Sequence, residues 1–246
     1  MTYSSRDLTV FVLLGGVLAV GIPAQGQILL HATFDDKAVD VPIGTGGPAV
    51  GEPTWIADVT ATVRATPLPS PSLEITDNDT YYAGSVAFSF TGDVEVTSGL
   101  LSVSADLWFA QYEGFDIFFR EQDSAANMFL DLAFNSFGYV SAWDQGGLVV
   151  AAIPYAIGRV VPLRVLFDMD QGTYDVFLDG TRIVADESHN VVGAGVGVGR
   201  VFFGVTNDEN LVGTLYVDNL TAATDDLVFF DAFETGTTLA WSSTVP

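Results

Sequence analysis

The feature that most constrains this chain is a side-chain period of two. Leu101, Val103, Ala105, Leu107 and Phe109 alternate with Ser102, Ser104, Asp106, Trp108 and Ala110. Met128, Leu130, Leu132 and Phe134 alternate in the same way with Phe129, Asp131, Ala133 and Asn135. Leu163, Val165 and Phe167 make a third apolar set, and Tyr174, Val176 and Leu178 a fourth. Successive side chains of a strand point to opposite faces, so each set reads as a strand with one face in a core and one toward solvent. After the first 26 residues no stretch keeps a helical period for three turns. The segment VFLDGTRIV (176–184) carries Asp179-Gly180, the dipeptide that supplies the positive φ angles of a two-residue hairpin turn. Many short strands punctuated by Gly, Pro, Asn and Asp predict an all-β, two-sheet antiparallel sandwich.

Both ends of the chain read differently from this body. A polar start with Arg6 and Asp7 precedes an apolar run from Leu8 to Ile22, and Ala24-Gln25-Gly26 then places small residues at alternate positions. That is the pattern of a secretory signal over residues 1–26. The run is about 15 residues, short of the ~20 that span a bilayer, and no basic stop-transfer cluster follows it. The expectation is therefore a secreted protein, extracellular or periplasmic, with no membrane span after cleavage. At the other end, LVFFDAFETGTTLAWSSTVP (227–246) follows an Ala-Ala-Thr-Asp-Asp stretch. Its Asp231, Phe233, Glu234, Gly236 and Trp241 resemble a short C-terminal signature found on many exported bacterial proteins. A terminal strand pinned by Phe233 and Trp241 is the simpler reading. The expected division is a signal peptide at 1–26, a sandwich domain at 27–224 and a tail at 225–246.

Charge narrows the partners. Thirty-one acids face 8 basic residues, a formal charge of −23. Such a field repels phosphate backbones and anionic headgroups, which disfavours nucleic acid and acidic membrane surfaces. It suits hard cations, and it equally suits plain solubility of an exported protein. With 49% hydrophobic residues the chain can bury a core large enough to dispense with disulfides, and it has no cysteine. Zinc–thiolate sites and cysteine nucleophiles are excluded, and two histidines leave little material for histidine-based acid–base chemistry.

The opening segment with Phe34-Asp35-Asp36, the run LRVLFDMDQGTYDVFLDGTRIV (163–184) and the closing GTLYVDNL (213–220) resemble the concanavalin A-like jelly rolls, in particular the laminin-G-like type. The resemblance covers residues 28–224 and implies a jelly roll whose last strand returns beside the first. It also implies that Asp35, Asp36 and Asp218 converge, where related sandwiches hold a structural calcium; ordinary strand-end acids are the alternative.

The positions opposite the core alternation combine aromatic plates with polar groups. Asp106, Trp108, Tyr112, Asp116, Arg120, Asp131, Asn135, Tyr139 and Trp143, with Ser102, Ser104 and Ser141, are expected to share one outward face on neighbouring strands. Rings stack on the C–H faces of sugars while carboxylates, amides and a guanidinium bond their hydroxyls, so this set suits a carbohydrate or cell-surface glycan. A covering loop is the competing explanation, with a structural or adhesive envelope role as its functional counterpart. Catalysis is less well supported. Jelly-roll glucanases place three acids on one strand face in a tight Glu-x-Asp-x-(x)-Glu run, whereas Glu113, Asp116 and Glu121 are spaced so that the first two point to opposite faces. Jelly-roll lyases pair His with Tyr and basic groups, and His189 falls in a loop. Asp168-Met-Asp170-Gln-Gly172 is a turn rather than a calcium loop, and Gly193, Gly195, Gly197 and Gly199 lead into a strand rather than cradle a phosphate.

Overall fold

The computed structural model describes residues 26–77, 84–122, 127–193, 195–205 and 213–224. All of the expected leader but Gly26, and the whole tail 225–246, lie outside the described residues. The strands run in chain order as β1 (Ile28–Ala32), β2 (Trp55–Ala57), β3 (Val59–Arg64), β4 (Ser72–Asp77) and β5 (Gly84–Ser89). They continue as β6 (Leu100–Phe109), β7 (Phe115–Arg120), β8 (Met128–Phe134), β9 (Tyr139–Asp144) and β10 (Gly147–Pro154). The rest are β11 (Val160–Asp168), β12 (Thr173–Leu178), β13 (Thr181–Ser188), β14 (Arg200–Val205) and β15 (Thr214–Thr224).

These strands form two antiparallel sheets packed face to face as a jelly-roll sandwich. The first has the order β13-β12-β11-β6-β15-β4-β3, with β1 added beside β15, and the second the order β10-β9-β8-β7-β14-β5-β2. The return of the last strand to the first is present: Ala32 lies opposite Leu220 and His31 opposite Thr221. β15 manages two neighbours on one side through a bulge after Asp218, where Asn219 has φ 51°. Before the bulge Thr214–Val217 pair with β4, and beyond it Leu220–Ala223 pair with β1.

The period of two decides which face of each strand is buried. β6 alternates without a break over ten residues, Leu101, Val103, Ala105, Leu107 and Phe109 all facing the core. β8 departs from simple alternation. Its register with β7 shifts between Phe119 and Arg120, and Phe129 is buried beside Leu130. The extra residue of a bulge lets two neighbours point inward, which is why Phe129 is not on the solvent side as its spacing suggests. Rings from the two sheets interlock, Phe119 of β7 lying 5.4 Å from Phe167 of β11 and Phe129 of β8 6.4 Å from it. Each fully buried ring of this kind contributes on the order of 2–3 kcal/mol of hydrophobic stabilisation.

The predicted hairpin is present. Asp179 (φ 52°) and Gly180 (φ 74°) join β12 to β13. Asp168 also makes a turn, its Oδ1 accepting the N–H groups of Asp170 and Gln171. The glycine run feeds β14 as expected, and two of its members are dictated by close approach. A Cβ on Gly197 would stand 2.3 Å from the Val96 carbonyl oxygen, and one on Gly199 2.9 Å from the Gln122 backbone nitrogen.

Candidate functional site

The outer face of the seven-stranded sheet is organised by its register into rows that cross the strands. One row runs Trp55, Ala87, Phe202, Phe118, Asp131, Trp143 and Leu148. The row beside it runs Ala57, Ser85, Gly204, Asp116, Ala133 and Ser141. A bulky, mostly aromatic ridge therefore lies along a floor of small side chains with a single carboxyl group at its centre. At the usual strand spacing the ridge is roughly 29 Å long. Its ends are open to solvent, Trp55 being 55% and Trp143 40% exposed. In the middle, Phe118 and Phe202 stack at 4.5 Å with their planes 15° apart. Gly204 keeps the floor open next to Asp116, since even a Cβ there would already touch the Asp116 side chain at 3.6 Å.

Two carboxyl groups on this face are held above the ordinary carboxylate range. Burial, and then the negative charge of Asp131, push Asp116 up to about 7. Burial raises Asp131 to about 6, against the opposing pull of the Arg120 guanidinium. Both therefore hold their protons to higher pH than a free carboxyl group. Asp131 Oδ1 and Arg120 Nε are both buried without a hydrogen-bond partner. An unmet buried polar atom costs about 1–3 kcal/mol, and the Arg120 charge acts on Asp131 without a hydrogen bond between them.

The structure divides the nine candidate ligand residues. Asp116, Arg120, Asp131, Tyr139 and Trp143 share the outer face of the seven-stranded sheet, with Ser141 among them. Asp106 and Trp108, with Ser102 and Ser104, do not join them. They lie on β6 in the other sheet, facing away across the thickness of the sandwich. The expectation that Trp108 and Trp143 sit in one sheet is therefore corrected. The chain changes sheet between β6 and β7, and period-two spacing carries no information about which sheet a strand joins. Trp108 packs edge-on against Tyr216 at 5.4 Å, and Asp106 accepts a hydrogen bond from Asn219 Nδ2 at 2.9 Å. Tyr112 lies in the connection after β6, its ring 5.3 Å from that of Tyr155. Asn135 shapes the turn before β9, its Oδ1 accepting the N–H groups of Phe137 and Tyr139.

Of the three carboxylates expected to converge, Asp35 and Asp218 lie within electrostatic reach of each other, and Asp218 Oδ1 is buried without a hydrogen-bond partner. Asp36 reaches Lys37 at 3.7 Å and is mostly exposed. Asp218 is buried and accepts a short hydrogen bond from the Ser70 hydroxyl. Burial, offset by that bond and by the Asn219 backbone but helped by the charges of Asp35 and Asp106, raises it to about 6. Among the described residues no group of three or more His, Cys, Asp or Glu side chains is gathered closely enough to hold a metal ion. Nor is any described helix long and apolar enough to cross a membrane.

Trp55, Phe118, Phe202, Arg200 and Gly204 belong to the site and escaped sequence reasoning. Trp55 sits in a three-residue strand, too short to show alternation. Phe118 and Phe202 had a readable signal. Both β7 (FDIFFR) and β14 (RVFFGV) contain Phe-Phe, and adjacent strand residues must point to opposite faces. One ring of each pair is necessarily outward.

No protein-family model and no curated relative matches the chain. Solved structures do. A carbohydrate esterase of the Shiga toxin-encoding bacteriophage phi24B is similar at TM-score 0.55 and 9% identity, over 82% of this chain and 100% of that one. A sialidase is similar at TM-score 0.54 and 16% identity, over 71% of this chain. Botulinum neurotoxin type C, from a structure concerned with its interaction with two ganglioside molecules, is similar at 0.51 and 12%, over 79% of this chain. This chain spans 16% of the sialidase and 47% of the neurotoxin chain. At these identities the likeness is one of fold, and the fold is the jelly-roll β-sandwich.

Proposed function

We propose that this is an exported concanavalin A-like module that binds a glycan across the outer face of the seven-stranded sheet. The observation that carries the reading is the pairing of an aromatic ridge with a floor of small residues. A sugar chain lying along the strand-crossing direction stacks on the ridge, and Asp116, Asp131 and Ser141 meet its hydroxyls. The solved structures of similar fold support a carbohydrate ligand, since their names refer to a sialidase, a carbohydrate esterase and a ganglioside-dependent toxin.

The test compares two tryptophans on opposite sheets. Trp143→Ala is expected to abolish retention on polysaccharide columns while changing unfolding free energy by less than about 1 kcal/mol, as at other exposed positions. Trp108→Ala, on the far sheet, is expected to leave retention intact. Equal losses for the two variants, or no retention of the parent on any polysaccharide, overturn the assignment.

One observation favours a second reading, glycan hydrolysis. Asp116 and Asp131 are diagonal neighbours on adjacent strands, both raised above the ordinary carboxylate range by burial. Diagonal positions lie about 7–8 Å apart at Cα, compatible with the ~5–9 Å between the carboxyl groups of glycosidases. Release of reducing ends by the parent protein, lost in Asp116→Asn, selects this reading over binding alone.

A further inference from the structure

We propose that the glycan taken by this face is a single extended β-1,4-linked hexose chain, laid across the strands with alternate rings in register with Ser85, Asp116 and Ser141. The inference rests on the glycan-binding reading above and names the class of glycan. It comes from a period in the floor beside the aromatic ridge. Taken strand by strand from β2 to β9, the floor runs Ala57, Ser85, Gly204, Asp116, Ala133 and Ser141. Polar side chains stand on every second strand, β5, β7 and β9, and the strands between them present Gly204 and Ala133. Neighbouring strands are about 4.8 Å apart, so the polar groups recur roughly every 10 Å along a line crossing the strands. All three are half-buried rather than enclosed. Among the described residues their side chains have no hydrogen-bond partner, which leaves them open to a ligand.

An extended β-1,4-linked chain has the same period. Each pyranose advances the chain by about one strand spacing and is turned over relative to the last. Along one edge of such a chain, the secondary hydroxyl pair of one ring is followed by the exocyclic hydroxymethyl group of the next. Hydroxyl pairs facing the floor meet Ser85, Asp116 and Ser141 at hydrogen-bonding positions. The bulkier hydroxymethyl groups fall over Gly204 and Ala133, where the side chains are smallest.

The ridge agrees in length. The exposed Trp55 and Trp143 stand on β2 and β9, five strand spacings apart in the sheet. That separation, roughly 24 Å, is the reach of about six rings, with an apolar plate near each end. An α-1,4-linked chain lacks the fit. Its rings are not turned over in alternation, and it winds into a helix, so its hydroxyl pairs leave a straight row. Sheet twist selects further. Adjacent strands rotate by about 20–25°, so the row winds about its own axis, which a single soluble chain follows and a flat crystalline face does not.

Binding of the full chain is measured by titration calorimetry with cellohexaose and mannohexaose, both β-1,4-linked, and with α-1,4-linked maltohexaose. Cellotriose and mannotriose, which reach only two of the polar positions, complete the set. At least one β-linked hexasaccharide is expected to bind about tenfold tighter than maltohexaose and than its own trisaccharide. Ser85→Ala and Ser141→Ala should each weaken that hexasaccharide about fivefold, the loss of one hydrogen bond. Melting curves identify a variant that fails to fold, and the parent's preference among the sugars then still decides the matter. Equal affinity for maltohexaose and the β-linked hexasaccharides, or for trisaccharide and hexasaccharide, overturns the extended-chain assignment. So does a protein that polysaccharide columns retain but neither β-linked hexasaccharide binds, and in each of these cases the glycan reading stands. Unchanged affinity in both folded serine variants overturns the register. Failure to bind any hexasaccharide or any polysaccharide column overturns both readings.

Discussion

At Asp116 a carboxyl group is held on a sheet face between Gly204 and Ala133, with the stacked rings of Phe118 and Phe202 beside it. Burial there opposes its ionisation, and the charge of Asp131 adds to the effect. The consequence for stability has a definite sign. Its native pKa of about 7 lies above the ordinary 3.8, so the folded state holds the proton more tightly than the unfolded chain. The associated stability is fully present below pH 4 and is lost as pH rises through 7. Asp116→Asn removes the ionisation. The variant should gain on the parent by about 1–2 kcal/mol at pH 8 and by nothing at pH 4, less than the dry-site limit because the group is partly solvated. Denaturant titrations at the two pH values check this, and a gain equal at both would show that the charge is not the cause.

Elements in this sandwich are placed by alternation and then adjusted by bulges and glycines. The bulge after Asp218 lets β15 pair with β4 on one stretch and with β1 on the next, and the bulge in β8 turns Phe129 into the core. Glycines divide into two physical classes. Gly180 needs only its positive φ, since a Cβ there would meet nothing within 4 Å. Gly180→Ala should therefore cost about 1 kcal/mol, the penalty of the left-handed conformation alone. Gly197 instead lies against the Val96 backbone, where an added Cβ has no flexible neighbour to displace. Gly197→Ala should lower the unfolding free energy by at least twice as much as Gly180→Ala, because it separates the loop from the bridge between Val96 and Val198. Equal costs in equilibrium unfolding would remove the distinction. The reach of sequence reading at this scale is uneven. β6 and the hairpin at Asp179-Gly180 were legible because local chemistry specifies them. The outward Phe118 and Phe202 were less legible, because their strands alternate apolar with apolar residues and the period of two does not say which ring faces out.

At the scale of the whole molecule, Gln27, next to the expected cleavage point, is tied to the last described strand. Gln27 donates its N–H to Thr224 Oγ1 and accepts from the Thr224 N–H, and β1 starts one residue later. Cleavage after Gly26 leaves the pairing of β1 with β15 intact. N-terminal sequencing of exported material should therefore begin near Gln27, and material that still starts at Met1 would refute the export reading. The sequence by itself determined the fold class, the faces of regularly alternating strands such as β6, and the hairpin turn, because side-chain periodicity and turn chemistry act between neighbours a few residues apart. It also named Asp116, Arg120, Asp131, Tyr139 and Trp143 as outward residues. It had no means of separating them from Asp106 and Trp108, since the step between β6 and β7 crosses from one sheet to the other. Which strands lie side by side is settled by contacts between residues far apart in the chain. Only that pairing set Arg120 against Arg200, placed Asp116 diagonal to Asp131, and aligned Trp55, Phe202, Phe118 and Trp143 into one ridge.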